Sequence, residues 1–357
     1  MSGNLQSHPE SILIVRLGAM GDVLHAMPAV AALRKACPEA KIGWIMERRW
    51  SELLGSADGS AASAGGRSLI DNLHTVNTRL WRKQFLSPAT WREMTNSIGA
   101  VRSEKYEIVV DFQGAIKSAL LAGTSGGKAI FGFADPRESA ARFWYGNKVR
   151  ATAPHVIDQN LELASAILNR PLAAEDVELP RSQKAEEWCE QILGKRGLTQ
   201  FAMLNPGSGW GAKCWPAERY ADVAKRLSGS GMRSLINVGP GEESLAESVA
   251  RASDGAAEIM SCQVAELIAV TRRASLFIGG DTGPMHLAAA LKIPTVSLFG
   301  PTDPARNGPY WTPSVVLRSG ESVTSYKHIA QADQGLHSIT VDAVIAAASQ
   351  VLGVPIG

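Results

Sequence analysis

Apolar residues along this chain fall into short continuous runs, each followed by turn residues and then by a helical spacing. Ile12 to Arg16 is apolar up to its last residue and predicts a buried strand. A glycine-bearing turn follows, and Val23, Met27, Val30 and Leu33 recur at helical spacing after it. Strand-like runs return at Ile42 to Met46, Glu107 to Phe112 and Ala129 to Phe133, with helix-like segments such as Ile116 to Ala122 and Val156 to Leu168 among them. Runs without a polar face, alternating with helices, predict a mostly parallel sheet covered on both sides.

Arg170 to Lys184 interrupts this rhythm with Pro171, Pro180 and several charges, which places a linker near Leu179 to Gln183. The β/α rhythm then restarts with strands expected at Phe201 to Asn205, Ser234 to Val238, Ser275 to Gly279 and Thr295 to Phe299, and a closing helix at Val341 to Val351. The expected fold is α/β: two Rossmann-like doubly wound domains, residues 1–180 and 181–357, facing a cleft. Ligands are expected at the carboxyl ends of the strands. The closing helix is free to pack back on the first domain. Gly55 to Gly66, rich in Ser, Ala and Gly, reads as a mobile loop or a low-complexity insert rather than a domain joint.

A length of 357 residues and 45% hydrophobic content suffice for two cores. The formal charge of +2 gives no reason to expect a nucleic-acid partner. The balance is uneven locally: Arg79 to Arg150 carries 12 Lys and Arg against 6 Asp and Glu, whereas Arg181 onward carries 16 against 16. With Trp81, Phe85, Trp91, Phe143 and Trp144 in the basic stretch, either a solvated face over core aromatics or a surface for an anionic, partly apolar molecule is expected there. Cys37, Cys189, Cys214 and Cys262 are scattered, with no C-x-x-C pair, which argues against a zinc site or a disulfide framework and fits a reducing cytoplasm. Met1 to Glu10 is polar without a basic start, so no secretion signal is expected. No apolar stretch reaches the roughly 18 residues of a spanning helix, so a soluble chain is expected, with any membrane contact peripheral.

Three junctions could carry chemistry. Gly18-Ala19-Met20-Gly21-Asp22 lies between the first strand and its helix; Asp22 is either a helix cap or a carboxylate placed to take a proton from an acceptor hydroxyl. Asp281-Thr282-Gly283-Pro284-Met285-His286 opens a second helix, whose free amides and positive dipole end suit a diphosphate. Gly207 to Pro216 is a loop of three glycines around Lys213, a compact cation of the kind found beside phosphate, or else a surface lysine. Glu242 and Glu243 follow Gly239-Pro240-Gly241, where a carboxylate could hold a ribose diol or cap the next helix. The absence of a D-x-D pair, H-E-x-x-H or a Walker lysine motif leaves positive charge for a diphosphate to protein groups, so no metal and no cofactor are expected.

Taken together these residues resemble the bacterial ADP-heptose:lipopolysaccharide heptosyltransferases over nearly the whole chain. Gly21 to Pro28 is similar to the family's N-terminal signature, Asp111 to Ser118 to its next block, and Asp281 to Ala290 to its C-terminal one. Leu24-His25, Gln113-Gly114 with Lys117-Ser118, and Gly132-Phe133 before Arg137 look more like heptosyltransferase I than II. The resemblance implies the GT-B fold and metal-independent, inverting transfer from ADP-heptose to the inner Kdo of Kdo-lipid A. It also implies a cytoplasmic enzyme, peripheral on the inner membrane, with no obligate protein partner. Residue by residue, it implies Asp22 as general base and Lys213 at the donor phosphates. Gly21, Asp281, Thr282, Gly283 and His286 fall in the donor site, and Glu242 or, slightly preferred, Glu243 at the ribose. Gln113, Lys117, Arg137 and Arg142 would face the acceptor. The rival readings are heptosyltransferase II or a later member, a non-catalytic nucleotide-sugar binding protein, and a Rossmann oxidoreductase. The last is disfavoured by the missing glycine fingerprint and ribose acid.

Overall fold

The computed structural model describes residues 9–55, 58–325 and 333–357. Residues 1–8 of the polar N-terminus, and residues 56–57 of the Gly/Ser/Ala stretch, lie outside the described residues. The chain divides into two compact units, Met1–Pro180 and Arg181–Gly357.

The first unit is built on β1 (Ser11–Val15), β2 (Lys41–Glu47), β3 (Asn72–Val76), β4 (Ile108–Asp111), β5 (Ala129–Phe133) and β6 (Asn147–Val149). They form one parallel sheet in the order β3-β2-β1-β4-β5-β6. The second unit repeats the arrangement with β7 (Phe201–Asn205), β8 (Arg233–Asn237), β9 (Ala257–Met260), β10 (Leu276–Gly280), β11 (Thr295–Phe299) and β12 (Ser314–Arg318), in the order β9-β8-β7-β10-β11-β12. Both sheets reverse their winding at the centre, between β1 and β4 and between β7 and β10. At that point the loops leaving neighbouring carboxyl ends diverge and open a crevice. The eight strands expected from apolar runs are the eight inner ones. The four missed, β3, β6, β9 and β12, are the edges, where burial is partial and the apolar run is broken.

Ile12 to Val15 of β1 are fully buried, and β1 pairs in register with β2 and β4, Val15 lying opposite Asp111. The helix Met20–Ala36 leaves β1 and packs against Val156–Leu168, where Asn160 Nδ2 donates to the His25 carbonyl (3.0 Å). In the second unit the closing helix Val341–Leu352 packs on Ala217–Gly229 and on β11 and β12 of its own unit.

The described residues of the Gly55 to Gly66 stretch are paired, unlike the mobile loop that was one expectation for it. Gly55 bridges to Ala61, Ser63–Ala64 pairs antiparallel with Arg67–Ser68, and Ser63 exchanges backbone hydrogen bonds with Glu178 (2.9 and 2.8 Å). Ala62 is fully buried, and Gly59, Gly65 and Gly66 have positive φ, so glycine here serves turn geometry, which composition alone does not distinguish from flexibility.

Candidate functional site: two strand-to-helix junctions

In the first unit the chain turns from β1 into its helix through Leu17, Gly18 and Ala19. Gly18 has φ +148°, and a Cβ there would lie 2.6 Å from Trp50 Nε1, so only glycine fits. Asp22 sits in the first helical turn. Its Oδ2 accepts the Ala19 amide (3.0 Å), and its Oδ1 lies 2.6 Å from Arg16 Nη2. Arg16 is 8% exposed and Asp22 36%, so a buried guanidinium holds a carboxylate that faces solvent. Asp22 is thus a helix-start acceptor and an accessible base candidate at once. Gly21 lies beside it, buried in the same turn.

A buried carboxylate shapes the neighbouring junction. Asp111, at the end of β4, accepts the amides of Gln113 (2.8 Å) and Gly114 (3.2 Å), the Ser118 hydroxyl (2.8 Å) and the Tyr145 hydroxyl (2.7 Å). Burial pushes its carboxyl above the usual range, although all four hydrogen bonds pull it down. Burial and the adjacent Asp111 push the Tyr145 hydroxyl up, which keeps it a donor. The turn so fixed aims Gln113, whose Oε1 accepts the Leu17 amide (2.9 Å), and Arg16 donates to the Phe112 carbonyl. The two junctions are therefore one hydrogen-bonded construction at the carboxyl edge of the sheet.

Lys117 is exposed in the first turn of Ile116–Thr124. Arg137 is exposed in a loop whose backbone touches Gly114: a Cβ there would lie 3.1 Å from the Arg137 amide. Arg142 is exposed in the short helix Ser139–Trp144, its guanidinium 5.5 Å from the Phe143 ring. Gln113, Lys117, Arg137 and Arg142 thus share one edge with Asp22. Of the aromatics in the basic stretch, Trp81 belongs to the core with Val76 and Val101, Trp144 packs over Gly123, and Phe85, Trp91 and Phe143 are exposed.

In the second unit Lys213 Nζ lies 2.6 Å from Asp281 Oδ2 and donates to the Asp281 carbonyl (3.1 Å). His286 Nε2 lies 3.2 Å from Asp281 Oδ1. Burial would raise the Asp281 carboxyl, but the hydrogen bond and charge of His286 and the Lys213 ammonium outweigh it and hold the group well below the usual range. The ammonium sits 5.2 Å from the Trp210 ring centroid. Of its three donors, two point at Asp281, leaving one for a ligand. Thr282 precedes the helix Gly283–Ala290, whose first amides lack intrahelical carbonyls. Its hydroxyl accepts from Asn205 Nδ2 (3.2 Å), and Asn237 Nδ2 donates to Asn205 Oδ1 (2.7 Å). Lys213, Asp281, Thr282, Gly283 and His286 are therefore assembled in one place.

The two glutamates separate. Glu242 is half-buried, accepts the Gly239 amide (3.1 Å) and approaches the Gly207 backbone so closely that a Cβ there would lie 2.0 Å from its Oε2. Burial pushes its carboxyl up. Glu243 is exposed and accepts the Gly241 amide (3.1 Å). Glu242 thus faces the Gly207 loop that carries Lys213, whereas Glu243 faces water. Arg16, Asn205, Asn237 and the Asp111–Tyr145 pair escaped the reading of the sequence. The available signals were a lone cation ending a buried strand and asparagines ending two adjacent strands, Asn205 and Asn237.

Two doubly wound units, the second with a lysine beside a helix start suited to a diphosphate, define the two-domain architecture of the GT-B class. Residues 94–337 match the model of glycosyltransferase family 9 (heptosyltransferase), and the chain belongs to that family. It is 29% identical over 319 residues to lipopolysaccharide heptosyltransferase 1 of Pseudomonas aeruginosa, covering 86% of this chain and 83% of that one. Escherichia coli heptosyltransferase WaaC solved with ADP superposes with a TM-score of 0.75 at 25% identity, covering 96% of this chain and 99% of that one. The same enzyme with ADP-2-deoxy-2-fluoro heptose gives 0.70 at 25% identity, covering 94% and 97%. The chain is a glycosyltransferase, and its likeness to heptosyltransferase 1 extends along most of its length.

Proposed function

We propose that this enzyme transfers L-glycero-D-manno-heptose from ADP-heptose to the inner Kdo of Kdo-lipid A, with inversion and without a metal ion. The observation that carries the reading is the Lys213 ammonium, anchored by Asp281 with one donor to spare, beside the Thr282–Gly283 helix start, whose free amides add donors for a diphosphate leaving group. The donor's relatives in bound form, ADP and a fluorinated ADP-heptose on WaaC, match this chemistry.

In the proposed displacement the Kdo hydroxyl oxygen attacks the anomeric carbon while Asp22 takes its proton. The bond from that carbon to the phosphate oxygen breaks, and ADP departs with the electron pair. Lys213 and the amides at Gly283 stabilise the charge on ADP, and Glu242 holds the ribose. Gln113, Lys117, Arg137 and Arg142 face the carboxylates and phosphates of the acceptor. No helix among the described residues is long and apolar enough to cross a membrane, so the enzyme would reach this acceptor peripherally, on the cytoplasmic face of the inner membrane.

The test is ADP release from ADP-heptose with either Kdo-lipid A or a heptosylated core. Release that requires Kdo-lipid A supports the reading. Release with the heptosylated core alone transfers the enzyme to a later step, and donor binding without turnover on either acceptor removes the catalytic reading.

A further inference from the structure

The residues that follow β3 form the most apolar exposed feature among the described residues of the first unit. Thr78–Lys83 is a short helix, and Pro88–Ser103 is the helix that returns along the sheet. Between and beside them Phe85 is 52% exposed, Leu86 93% and Trp91 45%, within seven residues. The Phe85 and Trp91 rings meet edge to face at 5.0 Å, and the exposed Leu86 is the chain neighbour of Phe85. Apolar side chains are normally exposed singly, and a contiguous group of this kind marks a surface used for binding.

Charge selects the partner. From Arg79 to Arg92 the chain carries four cations, Arg79, Arg82, Lys83 and Arg92, and no carboxylate. All four are exposed. The next acidic residue, Glu93, lies 3.8 Å from Arg48. An apolar tip with two aromatic residues, flanked along the chain by exposed cations, is complementary to a bilayer bearing anionic headgroups: the tip enters the acyl boundary while the cations stay among the phosphates.

Position supports the same partner. The strands of this sheet are parallel, so every segment that leaves a carboxyl end starts from one edge. Asp22 follows β1, the Phe85–Trp91 patch follows β3, and the exposed Phe143 (75%) follows β5. The greasy tip and the candidate base therefore share an edge.

We propose that Phe85, Leu86 and Trp91 insert into an anionic lipid surface and that Arg82, Lys83 and Arg92 hold them there. The patch positions the enzyme at the bilayer in which its acceptor is anchored, an inference that rests on the Kdo-lipid A reading for its purpose but not for its measurement. Vesicle binding is measured on the full chain without donor or acceptor. Wild type should sediment with phosphatidylglycerol/phosphatidylethanolamine vesicles and stay in solution with phosphatidylcholine vesicles, with binding weakened by salt. The F85S/L86S/W91S variant should bind the anionic vesicles at least about tenfold less. Its ADP release with a deacylated, water-soluble Kdo acceptor should equal wild type, which also shows that it folds. Each of R82Q, K83Q and R92Q should cost roughly fivefold in anionic-vesicle partitioning. Wild type that ignores anionic vesicles, or a triple variant that binds them as wild type does, overturns the proposal. So does wild type that dimerises in sedimentation-velocity runs while the triple variant is monomeric and neither binds vesicles, because the patch is then a contact between copies. Inactivity of wild type on the soluble acceptor counts against the Kdo reading and leaves the vesicle result standing.

Discussion

Asp22→Asn separates chemistry from scaffolding at a residue that does both. The substitution keeps the acceptor for the Ala19 amide but removes the countercharge of a guanidinium that is 8% exposed. A hydrogen bond to a charged group contributes about 1.5–3 kcal/mol, and the 36% exposure of Asp22 reduces this to about 1–2 kcal/mol through solvent screening. For a unit of this size that corresponds to a melting shift of about 2–8 °C, read by calorimetry. Arg16→Met breaks the same ion pair, leaves the carboxylate and also removes the donor to the Phe112 carbonyl, so its stability loss should be at least as large. The rates should diverge. Loss of a general base lowers turnover by about 10²- to 10⁴-fold, whereas Arg16→Met, with the base in place, should stay within roughly tenfold of wild type. ADP release under saturating donor and acceptor measures both. Asp22→Asn that stays within roughly tenfold of wild type, alongside an equal effect of Arg16→Met, would refute the assignment and leave Asp22 a helix-start acceptor only.

Lys213→Met should raise the ADP Kd at least about tenfold by titration calorimetry, since it removes the ammonium beside the phosphates. Asp281 is held below its unfolded value of about 3.9, so its stabilising contribution is complete above that pH and is lost as pH falls toward the folded value. Because Lys213→Met moves the folded value upward, wild type should lose more stability than the variant between about pH 6 and pH 3. Glu242→Gln should raise the KM for ADP-heptose roughly tenfold through a lost charged hydrogen bond to the ribose, while Glu243→Gln leaves it unchanged; the reverse order would restore the sequence preference. Tyr145→Phe removes a buried donor to Asp111 and should cost about 1–3 kcal/mol in urea unfolding; a neutral result would show that Ser118 and the two amides satisfy that carboxyl alone. ADP release should be unaffected by EDTA; loss of activity restored by a divalent cation would overturn the metal-independent reading.

The fold was legible where burial is complete. A strand covered on both faces must be apolar throughout, so the inner strands stand out as runs, and Val156–Leu168 and Thr295–Phe299 end where their spacing ends. An edge strand such as Ser314–Arg318 is half-exposed, and its residues answer to neighbours on one side only, so no local pattern marks it. The same limit hid the ribbon at Ser63–Ala64, whose order comes from Glu178, far along the chain.

The residue types for the chemistry, and their place at strand-to-helix turns, were set by the sequence itself, because glycine, proline and a capping group are local requirements of such turns. Which groups meet was decided by tertiary structure. Asp22 meets Arg16 within one strand-to-helix turn, whereas Lys213 meets Asp281 across 68 positions, because parallel pairing of β7 and β10 brings their carboxyl ends to one edge. Glu242 and Glu243 differ by one position and are chemically the same, yet one turns into the Gly207 loop and the other out to water. That choice depends on the backbone path after β8 and the close approach of Gly207, a long-range contact that no local spacing encodes.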